Sequence, residues 1–238
     1  MIPQWQPGIV HKIEHVTPNN RRYWIQLPET PVFDFKPGQF VTLDLPISEQ
    51  RNKRWRSYSI ASAPAGNNII ELIITHVEGG AGTDFIFNVL HEGSTVQLRG
   101  PQGVFQLPAV LDKDLFLICT GTGIAPFRSM VDHIYNQKIE HKNIYLIFGT
   151  RTKADLLYYN EMKDLENRMP GFHYLPTLSR ETWEGATGYV HALYERLCVD
   201  HQPATFMLCG WKEMIQEAEK RIEQSGYDKK NIITELYG

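Results

Sequence analysis

The strongest chemical signal in the sequence is a glycine-rich turn between an apolar run and a helical pattern. It reads Cys119-Thr-Gly-Thr-Gly-Ile-Ala-Pro and directly follows the apolar residues 115–119. Small residues after a parallel strand let backbone N–H groups approach a pyrophosphate, and the helix that follows directs its positive end toward it. Pro126 stands where the usual dinucleotide motif has a third glycine, which a first helical turn tolerates. The turn therefore predicts a phosphate-binding strand-to-helix elbow.

A second chemical feature is a tight basic cluster in the first half of the chain, formed by Arg51, Lys53, Arg54 and Arg56. Three interpretations are open at this point: a solvated loop, a phosphate site, or a docking patch for an acidic protein.

The cysteines and histidines argue against a metal centre in this chain. Cys119, Cys198 and Cys209 are too few and too scattered for a disulfide framework, a zinc site or a plant-type iron–sulfur loop. His11 and His15 lie on a predicted strand, where positions four apart are about 13 Å from each other. We therefore expect no metal site, and we expect any iron–sulfur centre to belong to another protein.

Composition narrows the class of partner. Lys and Arg total 24 against 27 Asp and Glu, a net charge of −3, which does not favour nucleic acid or an anionic membrane. The first residues lack the basic and apolar regions of a signal peptide, and no run of about 18 apolar residues occurs. These features predict a cytoplasmic protein without a membrane span, whose partners are small molecules or other proteins.

The elements that position these residues fall into two groups with different rhythms. Up to about residue 110, short β-rich runs separated by turn signals predict an antiparallel β-barrel, interrupted by one helical stretch at 83–90. These runs are 9–16, 23–27, 39–45, 57–61, 69–77 and 95–98. From residue 111, compact apolar strands alternate with helical patterns, which predicts a parallel α/β sheet covered on both faces. Its strands are expected at 115–119, 144–148, 172–175, 205–209 and 232–234, and its helices at 125–137, 158–169, 190–198 and 211–224. The predicted domains are thus residues 1–110 and 111–238.

Several further motifs occur in the order that a known family has them. Arg56-Ser-Tyr-Ser is like a flavin motif, and Gly80-Ala-Gly-Thr83 and Gly100-Pro-Gln-Gly103 follow it. The glycine-rich turn comes next, then Leu156-Leu-Tyr-x-x-Glu161, Ser179-Arg-Glu181, Cys209-Gly-Trp-Lys-x-Met214 and Glu235-Leu-Tyr-Gly238. From about residue 8 to its end, the chain resembles the ferredoxin–NADP reductase superfamily, most closely the plant-type members.

The resemblance implies that the first domain binds FAD. Arg56 offers a guanidinium for phosphate, Tyr58 a ring to stack on the flavin, and Ser59 a hydroxyl near flavin N5. By the same resemblance, backbone groups near Thr75 and His76 line the flavin. The loop expected to close over the pyrophosphate at a helix start contains Gly80, Gly82 and Thr83.

The resemblance also implies NADP(H) in the second domain, with NAD(H) as the alternative. Ser179 and Arg180 resemble the pair that holds an adenosine 2′-phosphate, Tyr189 falls where a tyrosine meets the adenine, and Arg151 could add a phosphate contact. Thr187 stands where plant-type members have a lysine, so one charge of that clamp is missing. The pyrophosphate turn is expected to consist of Gly121, Thr122, Gly123, Ile124, Ala125 and Pro126.

The implied catalytic residues are Ser59, Cys209 and Glu235. Cys209 and Gly210 are expected beside the nicotinamide, with Cys209 helping to place its C4 rather than acting as a nucleophile. Tyr237 is expected to cover the flavin face that nicotinamide must reach, although Gly238 follows it here and plant-type members end on the tyrosine. Cys119 and Cys198 are interpreted as structural.

These observations predict an FAD-dependent enzyme that transfers hydride between NADPH and FAD at the domain interface, and single electrons to or from a separate carrier such as ferredoxin or flavodoxin. Such a carrier is expected to dock near Arg51, Lys53 and Arg54. The alternatives are an NADH-dependent reductase component of an oxygenase, a free flavin or quinone reductase, and a non-catalytic nucleotide-binding regulatory subunit. Ser59, Cys209 and Glu235 argue against the last of these.

Overall fold

The computed structural model describes residues 3–237. The chain divides into two compact units. The first contains the residues up to Leu107 together with Ala125–His133, and the second contains Pro108–Ile124 and the residues from Ile134 on.

The first unit is built on a six-stranded antiparallel sheet. Its strands are β1 (Gln6–Thr17), β2 (Asn20–Gln26), β3 (Phe40–Asp44), β4 (Trp55–Ser59), β5 (Ile69–Thr75) and β6 (Thr95–Gln102), and the helix α1 (Ala81–Asn88) follows β5. The sheet order is β4-β3-β6-β1-β2-β5. The two outer strands meet just beyond β4, where Ile60 bridges to Leu72 and the Ala61 N–H donates to the Glu71 carbonyl at 2.8 Å. This closure confirms the predicted antiparallel barrel.

The barrel interior is apolar, as alternation along the strands requires. Val41 and Leu43 on β3 and Leu98 on β6 are fully or almost fully buried. One charged residue, Glu71, is also buried, with 2% of its surface exposed, on the face of β5 opposite to the core residues Ile70 and Leu72. Its carboxylate accepts hydrogen bonds from Arg22 Nε at 2.7 Å and from Arg128 Nη1 at 3.2 Å. The two guanidinium groups offset the cost of burying that charge.

The second unit is built on a six-stranded parallel sheet. Its strands are β7 (Asp114–Thr120), β8 (Ile144–Thr150), β9 (Phe172–Leu178), β10 (Ala186–Thr187), β11 (Ala204–Trp211) and β12 (Ile232–Tyr237). Its helices are α3 (Tyr159–Arg168), α4 (His191–Leu197) and α5 (Lys212–Gln224), whereas residues Ala125–His133 of α2 (Ile124–Gln137) belong to the first unit. This architecture confirms the predicted α/β fold.

The strand order β10-β9-β8-β7-β11-β12 places a topological switch point at β7. After β7 the chain adds β8 and β9 on one side, and later returns to add β11 and β12 on the other. The loops that follow β7 and β11 therefore leave the sheet next to each other, which is where open α/β sheets bind ligands.

No helix within residues 3–237 is both long and apolar enough to cross a membrane. The same residues hold no group of three or more His, Cys, Asp or Glu side chains that could bind a metal ion.

Candidate functional site

The loop after β7 and the end of β11 approach each other so closely that only glycine fits at the contact. Gly123 closes the loop after β7, and a β-carbon on it would lie 2.5 Å from the Cys209 carbonyl oxygen and 2.8 Å from its carbon. Gly210 makes the reciprocal approach, since its β-carbon would lie 2.6 Å from Thr120 Oγ1. Gly210 also has φ +135°, which side chains rarely adopt. Two motifs far apart in sequence thus form one junction.

Thr120 is a residue of this junction that the sequence analysis did not select. Its Oγ1 is buried and has no hydrogen-bond partner among residues 3–237. A buried hydroxyl without a partner is costly, so it marks a place where a ligand could supply the missing bond. Its position directly before the first glycine of the turn is the sequence signal that could have identified it.

The glycine-rich turn has the geometry expected of a phosphate-binding elbow. Gly121–Gly123 form a 3-10 turn, in which Gly121 has φ +54°, and α2 begins at the next residue. Gly121 faces open space, because a β-carbon there would meet no atom within 4 Å. The first N–H groups of a helix have no partner within it and can bind an anion. The turn and the first turn of α2 contain Gly121, Thr122, Gly123, Ile124, Ala125 and Pro126.

Cys209 and Glu235 are directly opposite each other on the adjacent parallel strands β11 and β12, and Trp211 and Tyr237 form the next matching pair but one. Burial raises the pKa of the Cys209 thiol well above its usual value, and the nearby Glu235 charge raises it further. A hydrogen bond with Tyr237 acts in the opposite direction. The structure thus brings Cys209, Glu235 and Tyr237 together, with Cys209 as a neutral thiol. Gly238 lies outside the described residues.

Ser179 and Arg180 lie beside Arg151 where β8 and β9 end. The Ser179 N–H donates to the Thr150 carbonyl, and the Arg180 N–H donates to the Arg151 carbonyl, each at 2.9 Å. Both arginines are exposed. Tyr189, 74% exposed, follows Gly188, whose N–H donates to the Leu178 carbonyl at the end of β9. The predicted residues Arg151, Ser179, Arg180 and Tyr189 therefore all lie at the carboxyl ends of β8 and β9.

The predicted flavin motif forms strand β4. Arg56 and Tyr58 are opposite Leu43 and Val41 on β3, which places them on the face that carries the barrel core. Tyr58 packs against that core, and burial raises its pKa. Ser59 ends the strand with 6% of its surface exposed.

Arg56 extends from β4 onto the first turn of α1. A β-carbon on Gly82 would lie 2.9 Å from Arg56 Nε and 3.0 Å from Arg56 Cγ, so the arginine side chain lies against this glycine. Its Nη1 donates to the carbonyls of Lys53 at 3.0 Å and Trp55 at 2.8 Å. A guanidinium therefore stands beside the N–H groups at the start of a helix, and both are donors suited to a phosphate.

The loop before α1 is held by its own side chains. Gly80 is the N-cap of α1, and Thr83 Oγ1 accepts a hydrogen bond from the Val77 N–H at 3.1 Å. His76 Nε2 lies 2.7 Å from Asp84 Oδ1, and the His76 N–H donates to the Asn19 carbonyl at 2.7 Å. Thr75 ends β5 and donates through its hydroxyl to Asn20 Oδ1 at 2.5 Å. The predicted residues Thr75, His76, Gly80, Gly82 and Thr83 thus lie along the segment that leads from the end of β5 into the first turn of α1.

The members of the basic cluster differ in their surroundings. Arg54 Nε lies 2.7 Å from Asp44 Oδ1, which offsets part of its charge. Arg51 and Lys53 lie in a 3-10 turn and are exposed.

Comparison with known proteins matches two domain families to separate parts of the chain. Residues 7–107 match the family model of the oxidoreductase FAD-binding domain, and residues 117–220 match that of the oxidoreductase NAD-binding domain. The chain is 32% identical over 235 residues to ferredoxin–NADP reductase B of Sorangium cellulosum, covering 94% of each protein. It is 28% identical over 206 residues to the anthranilate 1,2-dioxygenase electron transfer component of Acinetobacter baylyi, which covers 86% of this chain and 58% of that protein.

A crystal structure of a ferredoxin–NADP+ reductase from Neisseria gonorrhoeae with bound FAD and NADP has the same fold. The TM-score is 0.82 with 24% identity, and the match covers 98% of both chains. The two domain matches and the full-length similarity to a named reductase have one consequence. The chain belongs to the ferredoxin–NADP reductase superfamily and is a flavin-dependent oxidoreductase that uses FAD and a nicotinamide nucleotide.

Proposed function

We propose that this enzyme oxidises NADPH and passes the electrons singly to a separate ferredoxin or flavodoxin. The observation that carries the choice of NADPH is the pair of exposed arginines, Arg151 and Arg180, at the ends of β8 and β9. An arginine after a nucleotide-binding strand suits a 2′-phosphate, whereas NAD-specific sites usually place a carboxylate there. Ser179 adds a hydroxyl and Tyr189 an exposed ring for the adenine.

FAD fits the residues around α1. Arg56 and the N–H groups of Gly82 and Thr83 would hold its pyrophosphate, because the absent side chain of Gly82 leaves the guanidinium close to the helix start. Tyr58 would stack on the ring system, and backbone groups near Thr75 and His76 would line it. When bound, FAD accepts a hydride from the nicotinamide and releases electrons one at a time.

The residues at the β7–β11 junction would bind and orient the nucleotide. The N–H groups of residues 121–126 would hold its pyrophosphate, and Thr120 Oγ1 supplies a hydrogen-bonding group at the same place. Cys209 and Gly210 would lie against the nicotinamide, where a neutral thiol provides a compact, water-excluding surface. The Ser59 hydroxyl and the Glu235 carboxylate would lie near the reacting atoms. The Tyr237 ring would cover the flavin until the nucleotide binds.

We assign FAD binding to residues 1–110 and nucleotide binding to residues 111–238. This assignment is supported by the two family matches and by the strand pairing within each sheet. The cytoplasm is the proposed compartment, supported by three cysteines that are all buried and free.

The docking patch for the carrier is proposed to centre on Arg51 and Lys53. They are exposed, whereas Arg54 is partly neutralised by Asp44. Small electron carriers are often acidic, and complementary charge mainly accelerates association.

An NADH-dependent reductase component of an oxygenase is the second candidate. It is favoured by Thr187, which stands where plant-type members have a lysine, and by the likeness to an anthranilate dioxygenase component.

The test is a reconstituted assay in which the enzyme, with NADPH or NADH, reduces ferredoxin, flavodoxin, an iron–sulfur oxygenase component, free flavin or a quinone. The proposal expects NADPH with ferredoxin or flavodoxin to give the highest kcat/KM, and this rate to fall as salt rises. A higher kcat/KM with NADH and an oxygenase component would support the second candidate instead. A rate with the carriers that does not depend on salt would contradict the docking patch.

A further inference from the structure

The loops that follow β8 and β9 remain joined beyond the end of the sheet. The Ser179 N–H and the Arg180 N–H donate to the carbonyls of Thr150 and Arg151, each at 2.9 Å. These two bonds lie just beyond the parallel pairing of β8 and β9, whose last matched residues are Thr150 and Leu178. Arg151 and Arg180 are therefore held side by side by their own backbones.

The side chains of these two residues carry like charges, which repel each other when the guanidinium groups approach. Neither guanidinium has a carboxylate or other hydrogen-bond partner within residues 3–237. An anion that contacts both guanidinium groups would stabilise this pair of arginines. When no anion is bound, other contacts must hold the two loops together.

Glu181 supplies such a contact. Its Oε2 accepts a hydrogen bond from the backbone N–H of Lys153 at 2.7 Å, which fixes the loop after β8 two residues beyond Arg151. Lys153 begins a 3-10 turn whose N-cap, Thr152, is held by Asp155. Glu181 thus anchors one loop to a rigid turn in the other, and that hydrogen bond turns its carboxylate toward Lys153.

We propose that Glu181 is a positioning residue for the adenosine 2′-phosphate of NADPH. It holds the loop at residues 150–153 against the loop at residues 179–181, so that Arg151 and Arg180 are preorganised for a dianion. This inference rests on the proposed preference for NADPH.

The negative charge of Glu181 and its hydrogen bond to Lys153 predict opposite effects on phosphate binding when the side chain is removed. The role of Glu181 can therefore be tested. A carboxylate beside a phosphate is unfavourable, so if Glu181 acted only through its charge, removing it would tighten binding of a 2′-phosphate. If Glu181 instead acts by joining the two loops, Glu181→Ala weakens that binding. Glu181→Gln preserves it, because the amide oxygen still accepts a hydrogen bond from the Lys153 N–H.

The experiment measures binding of 2′,5′-ADP and of 5′-AMP to the FAD-loaded protein by titration calorimetry. Steady-state KM and kcat for NADPH and NADH are measured in parallel. Glu184→Gln is the matched control, because Glu184 is in the same loop and contacts the Lys153 side chain at 2.7 Å, not its backbone.

The wild-type protein is expected to prefer 2′,5′-ADP. Glu181→Ala is expected to weaken that ligand about 10-fold and raise KM for NADPH similarly, with 5′-AMP binding and kcat unchanged. Glu181→Gln and Glu184→Gln are expected to bind 2′,5′-ADP at least as tightly as the wild type.

Tighter or unchanged binding of 2′,5′-ADP by Glu181→Ala, in a protein whose wild type prefers that ligand, overturns the role of Glu181 alone. A wild-type protein that does not distinguish the two ligands overturns both this role and the NADPH preference on which it rests.

Discussion

Gly123 and the main-chain carbonyl of Cys209 are packed so closely that a β-carbon on the glycine would lie 2.5 Å from the carbonyl oxygen. This contact joins the loop after β7 to the end of β11, the two places that a parallel sheet with its switch point at β7 brings together. The glycine is therefore required by the neighbouring strand. Its own backbone angle is ordinary, since φ is −60°.

Gly123→Ala is expected to lower the free energy of unfolding by about 1–3 kcal/mol, because backbone atoms of Cys209 and Gly210 must move to admit the methyl group. The same movement should weaken binding of the nicotinamide nucleotide. Urea unfolding and NADPH titration measure the two effects. Gly171→Ala is the control, because Gly171 has φ +82° but its nearest neighbour would be 3.5 Å away. It should cost stability through backbone strain while leaving nucleotide binding intact, and equal nucleotide affinity in both variants would contradict the role of the junction.

Gly82→Ala is expected to weaken FAD binding about 10-fold without destabilising the apoprotein. Alanine is the better helix former by about 0.5–1 kcal/mol, yet its β-carbon would displace the Arg56 side chain from the phosphate cradle. Fluorescence titration of the apoprotein with FAD measures the affinity. Gly79→Ala changes the same loop, where φ is +71° and no atom lies within 4 Å of the added carbon. If Gly82→Ala binds FAD as tightly as the wild type, Arg56 does not depend on this contact.

Arg180→Ala is expected to lower kcat/KM for NADPH about 10–100-fold, because a charge-assisted hydrogen bond to the 2′-phosphate is lost. The value for NADH should stay nearly unchanged. Arg196→Ala removes the same charge from an exposed position on α4 and serves as the control. Equal losses with both nucleotides would refute the assignment of Arg180 to the 2′-phosphate.

Stability at high pH reports the burial of Cys209. Burial raises the pKa of its thiol above the usual value of 9.0, so the unfolded chain loses this proton at lower pH than the folded chain does. The resulting stabilisation is complete below about pH 9 and is lost as the pH rises further. Cys198, whose pKa burial raises to about 11, contributes in the same direction. Urea unfolding at pH 8 and pH 9.8 should show a smaller decline for Cys209→Ser than for the wild type, and identical declines would mean that the thiol is not shielded.

The sequence predicts the elements of this fold well, because their apolar patterns are local. The buried runs of β7, β8 and β11 and the amphipathic pattern of α5 lie where expected. The sequence does not predict β10, since its two residues, Ala186 and Thr187, are too few to show a pattern. Contacts between distant segments likewise leave no local pattern in the sequence. The run Ile-Ile-Glu-Leu-Ile-Ile around Glu71 does not reveal that Arg22 and Arg128 surround the carboxylate.

In the candidate site, too, the sequence reveals local motifs but not the contacts between distant segments. Motif order indicates which residues belong to it, including Arg56, Cys209 and Arg180. It does not reveal that Gly123 lies against Cys209 or that Gly82 lies against Arg56, because each contact depends on how strands and helices pack. Thr120 was overlooked for a related reason, since its unpaired hydroxyl is apparent only once its surroundings are known.

Anaerobic stopped-flow mixing of the purified protein with NADPH, and separately with NADH, tests the central claim most directly. The account predicts a yellow protein whose flavin absorbance is bleached by NADPH in a saturable single step, and more slowly or at higher concentration by NADH. A purified protein that retains no flavin after incubation with FAD, or one whose flavin is bleached by neither nucleotide, would contradict it.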